Sequence, residues 1–222
     1  NTRENNQLVK NKTGLLIDSY FSATKIKWIL DNVEGARKKA NEGKLCFGTV
    51  DTFLMYKLSK GNIHKTDITN ASRTMLFNIN SLEWDEELLE LFEIPKAILP
   101  EVIHSDKNFG QLTQINNVTV NAVLGDQQAA LFGQGCLNQG ELKSTYGTGC
   151  FLMVNVGKEA VLSNDGLLTT IGYSLNDEVS YAIEGSIYAS GTTVQWLRDN
   201  LEFFSTSEKS EEFLHKNGDA KN

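Results

Sequence analysis

Metal-binding side chains are scarce. Three cysteines (Cys46, Cys136, Cys150) and three histidines (His64, His104, His215) are scattered over 222 residues. No CxxC pair or close histidine spacing brings two of them together, which argues against a structural zinc site. An odd, sparse cysteine count fits a reducing compartment better than a disulfide scaffold. Long apolar runs are missing as well: none approaches the roughly 18 residues of a membrane helix. The polar start, Asn1-Thr2-Arg3-Glu4-Asn5-Asn6, has neither an initiator Met nor the pattern of a signal peptide. Positive charge is in deficit, with 21 Lys+Arg against 28 Asp+Glu and a net charge of -7. That balance argues against nucleic acid or an anionic membrane as a partner. The one basic run, Arg37-Lys38-Lys39, lies between Glu34 and Glu42 and reads as a solvated helix face. There is no repeat at about 20 to 50 residues, no Gly-Lys-Ser/Thr phosphate loop and no dinucleotide fingerprint.

What is present is an ordinary globular composition, 40% hydrophobic and 22% charged, with enough length for one large or two small domains. Gln7 to Lys12 reads as the end of a helix stopped at Thr13-Gly14. Ile26, Ile29, Leu30 and Val33 recur at helical steps and predict a helix from Ser22 to about Asn32. Ala36 to Glu42 is a further helical turn. Leu45 to Thr49 reads as a strand. Asp51-Thr52 then caps a helix from Phe53 to Leu58, with Phe53, Leu54 and Leu58 expected inside. Thr66 to Arg73 is a polar loop whose side chains bond to backbone, and Met75 to Ile79 resembles a strand. Trp84 to Phe92 is an acidic helix closed by Ile94-Pro95. Gly110 to Val120 reads as an open connection, Val120 to Leu124 as a buried strand, and Gln127 to Gly133 as a helix. Trp28, Trp84 and Trp196 read as core or interface residues.

Near Gly133 to Cys136 the composition shifts. Leu142 to Tyr146, Cys150 to Val156, Leu167 to Leu175 and Val179 to Glu184 read as strands of a β-meander, with Gly-rich or Asn-Asp separators that suit hairpins. Ser190-Gly191-Thr192 opens a helix running through Leu201, with Val194, Leu197 and Leu201 on one face. The polar stretch from Ser205 to Asn222 carries no expected element.

Three stretches can carry chemistry. Gly125-Asp126-Gln127-Gln128 places one carboxylate where a strand turns into a helix. It reads either as a helix cap, for which Asp is well suited, or as a general base with two amides beside it for gripping hydroxyl groups. Tyr146-Gly147-Thr148-Gly149 joins two strands and reads either as a plain hairpin turn or as a backbone nest with a hydroxyl, suited to phosphate oxygens. Ser190-Gly191-Thr192 opens its helix on a small residue, for close packing or to admit a nucleotide.

Together these stretches resemble the FGGY family of carbohydrate kinases, in particular its glycerol-phosphorylating members. The likeness runs from about Thr13 to Leu201. It rests on TGLLIDSYFS (residues 13–22), TDITNASRTMLFN (66–78), GDQQAALFGQ (125–134), TYGTGCF (145–151) and GLLTTI (166–171). Tyr181 to Ser186 and Val194 to Asp199 add to it. The resemblance implies an α/β chain of actin-like, ribonuclease H-like fold, with parts of two domains and the active site between them. Residues 1–134 would be the C-terminal part of the first domain and residues 135–222 the N-terminal part of the second. It implies ATP-dependent phosphorylation of glycerol to sn-glycerol 3-phosphate with Mg2+ accompanying ATP, in a cytoplasmic homo-oligomer. Carried over residue by residue, Asp126 accepts the proton of the attacking hydroxyl and Gln127 bonds the polyol. Tyr20 also contacts glycerol, and Phe151 is an apolar wall against it. Gly147 and Thr148 lie at the nucleotide phosphates, and Gly191 and Gln195 line the nucleotide site.

The family also uses an early phosphate loop and an Arg-Glu pair upstream of Asn1, and a Gly-rich adenine segment downstream of Asn222. The chain therefore reads as an internal fragment that would not turn over glycerol alone. Residues 110–120 carry neither the phosphorylatable His nor the Gly-rich Arg segment through which some relatives are regulated. Two alternatives stand: a kinase of another polyol or sugar in the same family, or a non-catalytic actin-like module that binds nucleotide.

Overall fold

The computed structural model describes residues 2–217. α1 (Thr2–Thr13) ends where Thr13 Oγ1 bonds back to Val9 O at 2.7 Å. Gly14 follows at φ +72°, and a Cβ there would collide with the carbonyl of Thr169. Glycine thus serves both the reversal and the close approach of a later strand. α2 (Ser22–Asn32) buries Ala23, Ile26 and Leu30 as its periodicity predicts. α3 (Ala36–Asn41) buries Ala36 and Ala40 beside it. These helices, with Val9, Leu15, Phe21, Leu76, Leu88 and Ile98, enclose one core cluster.

α4 (Val50–Leu58) departs from expectation. It starts three residues earlier, after Thr49, and buries Thr52 and Met55, while Phe53 and Leu54 are exposed. Each residue advances a helix by about 100°, so a small error in phase rotates the whole apolar face. Met55 docks against Ile63, Phe109 and Leu112, and that contact sets the phase. The expected strand at 45–49 is absent: Phe47 N–H reaches Ile98 O at 2.7 Å, but no ladder forms. Leu45 and Phe47 pack on the first core without strand pairing. Trp28 and Trp196 are exposed, whereas Trp84 packs on the core and donates to Pro100 O at 2.8 Å.

β1 (Lys65–Asp67) pairs in parallel with β4 (Glu101–Ile103), and α5 (Ile68–Ala71) begins directly after β1. β2 (Phe77–Asn78) is shorter than the strand expected at 75–79, because Met75 takes a positive φ of 63° and only two residues pair with β3 (Glu83–Trp84). Asp85 caps α6 (Glu86–Leu91). The segment expected to be open between Gly110 and Val120 is a hairpin of β5 (Gly110–Leu112) and β6 (Val118–Val120). Asn116 and Asn117 both sit at φ 55°, and Val118 N–H closes the turn on Ile115 O at 3.1 Å. Two left-handed Asn residues make a primed turn without glycine, which is why the hairpin escapes a glycine-based reading. The strand expected at 120–124 ends at Val120.

α7 (Asp126–Gly133) leads into an antiparallel sheet of β7 (Leu142–Tyr146), β8 (Cys150–Gly157), β9 (Leu168–Leu175) and β10 (Glu178–Ile187). Its order is β7-β8-β10-β9, not that of a meander. Residues 158–167 cross from β8 to the far side of β10, and Asn176-Asp177, both left-handed at φ 54° and 67°, turn β9 back into β10. β9 contacts both α5 and α7. α8 (Gly191–Asp199) ends before Leu201 and leaves Val194 and Leu197 half-buried. The stretch expected to lack an element carries α9 (Lys209–Asn217), whose Phe213 ring stacks 5.7 Å from Phe203. Residues 218–222 of that stretch lie outside the described residues.

Candidate functional site

Asp126 owes its place to a polar scaffold beneath it. Burial pushes the Asp67 carboxyl above the usual range, against the opposing pull of hydrogen bonds from Asn70, Thr69 and Ser105. It accepts Thr69 Oγ1 at 2.7 Å and Ser105 Oγ at 2.7 Å. Thr69 Oγ1 in turn accepts the N–H of Gly125 at 2.9 Å, and Ser105 O accepts the N–H of Val123 at 2.9 Å. Residues 121–125 are thus hung on side chains and single carbonyls in place of the expected strand. Thr66 to Arg73 orders its own backbone as expected, and it orders a distant segment as well.

The helix cap position belongs to Gly125; Asp126 is the first residue of α7. Its carboxylate is exposed and accepts the N–H of Gln127 at 2.8 Å. A carboxylate at this end of a helix is favoured by the dipole while remaining free toward solvent. Behind it, buried Gln128 donates to Ile171 O at 3.3 Å and pins α7 to β9.

Gln127 is tied to the sheet. Lys143 Nζ donates to Gln127 Oε1, to Thr145 Oγ1 at 2.9 Å and to Phe151 O at 3.4 Å. Burial pushes the Lys143 ammonium below the usual lysine range, against the pull of the Glu184 and Asp126 charges. Glu184, 2% exposed, pairs with Arg73 Nη2 at 3.0 Å and accepts Ser186 Oγ at 3.0 Å. Arg73 also lies over the Phe21 ring, 5.4 Å from its centroid. Its Nη1 and Glu184 Oε2 make no hydrogen bond among the described residues. Tyr20 is exposed, edge-on to Phe21 at 5.3 Å and 6.0 Å from Tyr188. Burial raises its hydroxyl pKa; Arg73 opposes the shift, and Glu184 and Asp126 add to it. Tyr20, Asp126, Gln127 and half-buried Phe151 therefore share one neighbourhood, floored by Arg73, Glu184 and Lys143.

The second group is a backbone junction. Gly191 N–H donates to Gly147 O at 3.0 Å, Ser190 N–H to Thr148 O at 2.9 Å, and Thr192 Oγ1 to Thr148 O at 3.2 Å. A Cβ on Gly191 would sit 2.5 Å from Gly147 O, so glycine is required for this approach. The turn differs from the expected nest. Neither Gly147 nor Gly149 takes a positive φ, and Gly147 N–H is spent on Gly149 O at 2.8 Å. What the turn offers outward is exposed Thr148, next to the start of α8. Gln195 is exposed one turn further along that helix.

Sequence reasoning passed over Lys143 and Glu184 as site residues and set Arg73 aside as part of a polar loop that orders its own backbone. The available signal was charge at inward strand positions: Lys143 and Glu184 both face Met153 in the strand register and are almost fully buried, while Arg73 is half-buried.

Residues 1–133 match the N-terminal domain and residues 142–221 the C-terminal domain of the FGGY family of carbohydrate kinases. The chain is 57% identical over 212 residues to the glycerol kinase of Fusobacterium nucleatum, covering 94% of this chain and 43% of that protein. It is 56% identical over 213 residues to that of Bacillus cytotoxicus, with the same coverage of 94% and 43%. It spans less than half the length of these relatives. Among solved structures, Plasmodium falciparum glycerol kinase with ADP superposes at a TM-score of 0.88, with 39% identity, over 95% of this chain and 43% of that one. A xylulose kinase from Lactobacillus acidophilus superposes at 0.79 with 18% identity, over 95% of this chain and 42% of that one, a likeness of fold alone. The α/β architecture is the actin-like, ribonuclease H-like fold of these kinases, and the chain belongs to the FGGY family of carbohydrate kinases.

Proposed function

We propose that this chain is the central part of an ATP-dependent glycerol kinase, which transfers the γ-phosphoryl group of ATP to a glycerol hydroxyl and yields sn-glycerol 3-phosphate. The observation that carries this reading is the exposed Asp126 carboxylate at the start of α7, grouped with Tyr20, Gln127 and Phe151. The Gly147-Thr148 turn sits on the same β7–β8 hairpin as Phe151. Identity of 57% to a glycerol kinase supports glycerol over other polyols.

Phosphoryl transfer asks a protein mainly for positioning and charge stabilisation. In this reading Asp126 accepts the hydroxyl proton as the new O–P bond forms. Gln127 and Tyr20 hold the polyol, and the Phe151 ring faces its carbon chain. Thr148 and Gly147 meet the phosphates, and Gly191 and Gln195 border the nucleotide. Mg2+ is inferred to accompany the ATP phosphates as their counter-ion, with no direct side-chain ligation from this chain. The division into a first domain ending at about residue 134 and a second beginning at 135 is part of the same proposal, as are a cytoplasmic location and a homo-oligomeric state. Among the described residues no helix is long and apolar enough to cross a membrane.

The test is Asp126→Asn in the full-length protein. Glycerol-dependent ADP production is expected to fall about 10²- to 10⁴-fold, the usual contribution of a positioned base, with ATP affinity unchanged. Retained turnover would remove Asp126 from the chemistry. A panel of polyols and sugars on the unaltered enzyme decides the substrate.

A further inference from the structure

Lys143 is 1% exposed, and its ammonium is hydrogen-bonded to three neutral oxygens and to no carboxylate among the described residues. A buried cation without a close counter-ion is a net cost to folding, and an isosteric apolar side chain would be tolerated more easily. Its presence is better explained by what it holds. Of its three acceptors, two belong to residues placed at the polyol, Gln127 and Phe151. The third is Thr145, three residues before Thr148 on the way into the phosphate turn.

The chemistry of the contact decides the orientation of an amide. Lysine only donates, so the oxygen of the Gln127 side chain must face Lys143 and the NH2 group must face away. Nε2 is accordingly turned toward Asp126, 3.5 Å from Oδ2. A hydroxyl entering between them would find an acceptor for its proton in Asp126 and a donor for its lone pair in Gln127. With the amide reversed, two acceptors would compete for a single proton.

We propose that Lys143 is a positioning residue that holds the Gln127 amide with its N–H donors toward Asp126, and so prepares the site for a hydroxyl that gives its proton to Asp126 while accepting a hydrogen bond from Gln127. The proposal rests on the kinase reading above for the identity of that hydroxyl. The amide orientation does not depend on it.

Two measurements test this. In the 222-residue chain, the Gln127 side-chain NH2 signals in 15N NMR spectra are identified by their loss in Gln127→Leu. Lys143→Met is expected to shift or average them; if they are unchanged, the proposal is overturned whatever the enzyme does. In the full-length protein, Lys143→Met is expected to lower glycerol kcat/KM about 30- to 100-fold, the scale of one charge-assisted hydrogen bond. The ATP KM should stay within about twofold and the melting temperature should not fall. The double variant Lys143→Met/Gln127→Leu should be no worse than Gln127→Leu alone, because one side chain acts through the other. Additive losses, or a glycerol kcat/KM that does not move, would overturn the proposal. So would a lowered Tm together with a raised ATP KM, the pattern of a merely structural lysine. If the NMR signals respond and the unaltered full-length protein does not phosphorylate glycerol, the amide lock stands and the functional reading falls.

Discussion

One position with little tolerance for a side chain is Gly191. Its missing side chain lets the start of α8 lie on the Gly147 carbonyl, where a Cβ would stand 2.5 Å away. Backbone atoms cannot swing aside as a long side chain can, so alanine must push the turn and the helix apart. Gly191→Ala is expected to raise the KM for ATP at least tenfold in the full-length enzyme while leaving the KM for glycerol within about threefold. Equal effects on both substrates would argue against assigning this junction to the nucleotide. The Arg73–Glu184 pair shows the other extreme of residue-level economy. Glu184 is shut from solvent, and Arg73 holds it across 111 residues of sequence. No local pattern announces such a pair: the charge of Glu184 on an inward strand position is visible in the sequence, but nothing near it names Arg73 as the partner.

At the scale of elements, Asp85 does the work of several bonds. It caps α6 by accepting Glu87 N–H and Leu88 N–H, each at 3.1 Å. It also receives Lys12 Nζ from α1 at 2.7 Å and Asn78 Nδ2 at 2.9 Å. Burial pushes its carboxyl up, but Lys12, Asn78 and the Leu88 N–H outweigh burial and hold it below the usual carboxylate range. A carboxyl with a lowered pKa in the folded state adds stability above its unfolded value of about 3.9, and that stability is lost as pH falls through the folded value. Asp85→Asn is therefore expected to cost about 2 kcal/mol at pH 7, with a difference from the unaltered chain that shrinks as pH falls below the unfolded carboxyl value of about 3.9. Urea unfolding of both proteins across that range measures it; a difference that grows toward acid would sink the argument. Elements were legible where a period lay within one stretch. α2 appears over the residues its apolar steps mark, and β7 over Leu142 to Tyr146. They were illegible where a third party decided. Phe53 and Leu54 look inward by composition, yet Met55 takes the inward place because Ile63 and Phe109 meet it there.

Across the whole molecule, the first and second halves of the chain share packing. Ile171 and Tyr181 of the antiparallel sheet lie in one cluster with Ile68, Ala71, Phe77 and Ile79 from far upstream. Tyr181 Oη donates to Ile79 O at 2.8 Å, and the N–H of Thr169 reaches Gly14 O at 2.9 Å. A cluster shared in this way couples the unfolding of both halves. Ile171→Ala, at a fully buried site, is expected to cost about 2–4 kcal/mol. It should lower one common transition seen alike by upstream Trp84 and downstream Trp196, read by fluorescence in single-tryptophan variants. Two separate melting steps, with only the downstream one moved, would show that the halves unfold independently.

The sequence by itself determined the family, the main helices, the four strands after Cys136 and the residues 125–128 and 145–151 to which the chemistry is proposed to belong. Each of these is written in contiguous residues, through a period or a motif. Only the tertiary structure decided the strand order β7-β8-β10-β9, the crossing at 158–167 and the polar scaffold that replaces a strand before Asp126. It also decided the burial of Lys143 beside Gln127 and of Glu184 beside Arg73. The physical reason is range. Helical steps and turns act over a few residues, whereas a cross-strand neighbour depends on register and sheet order, which are properties of the assembled core.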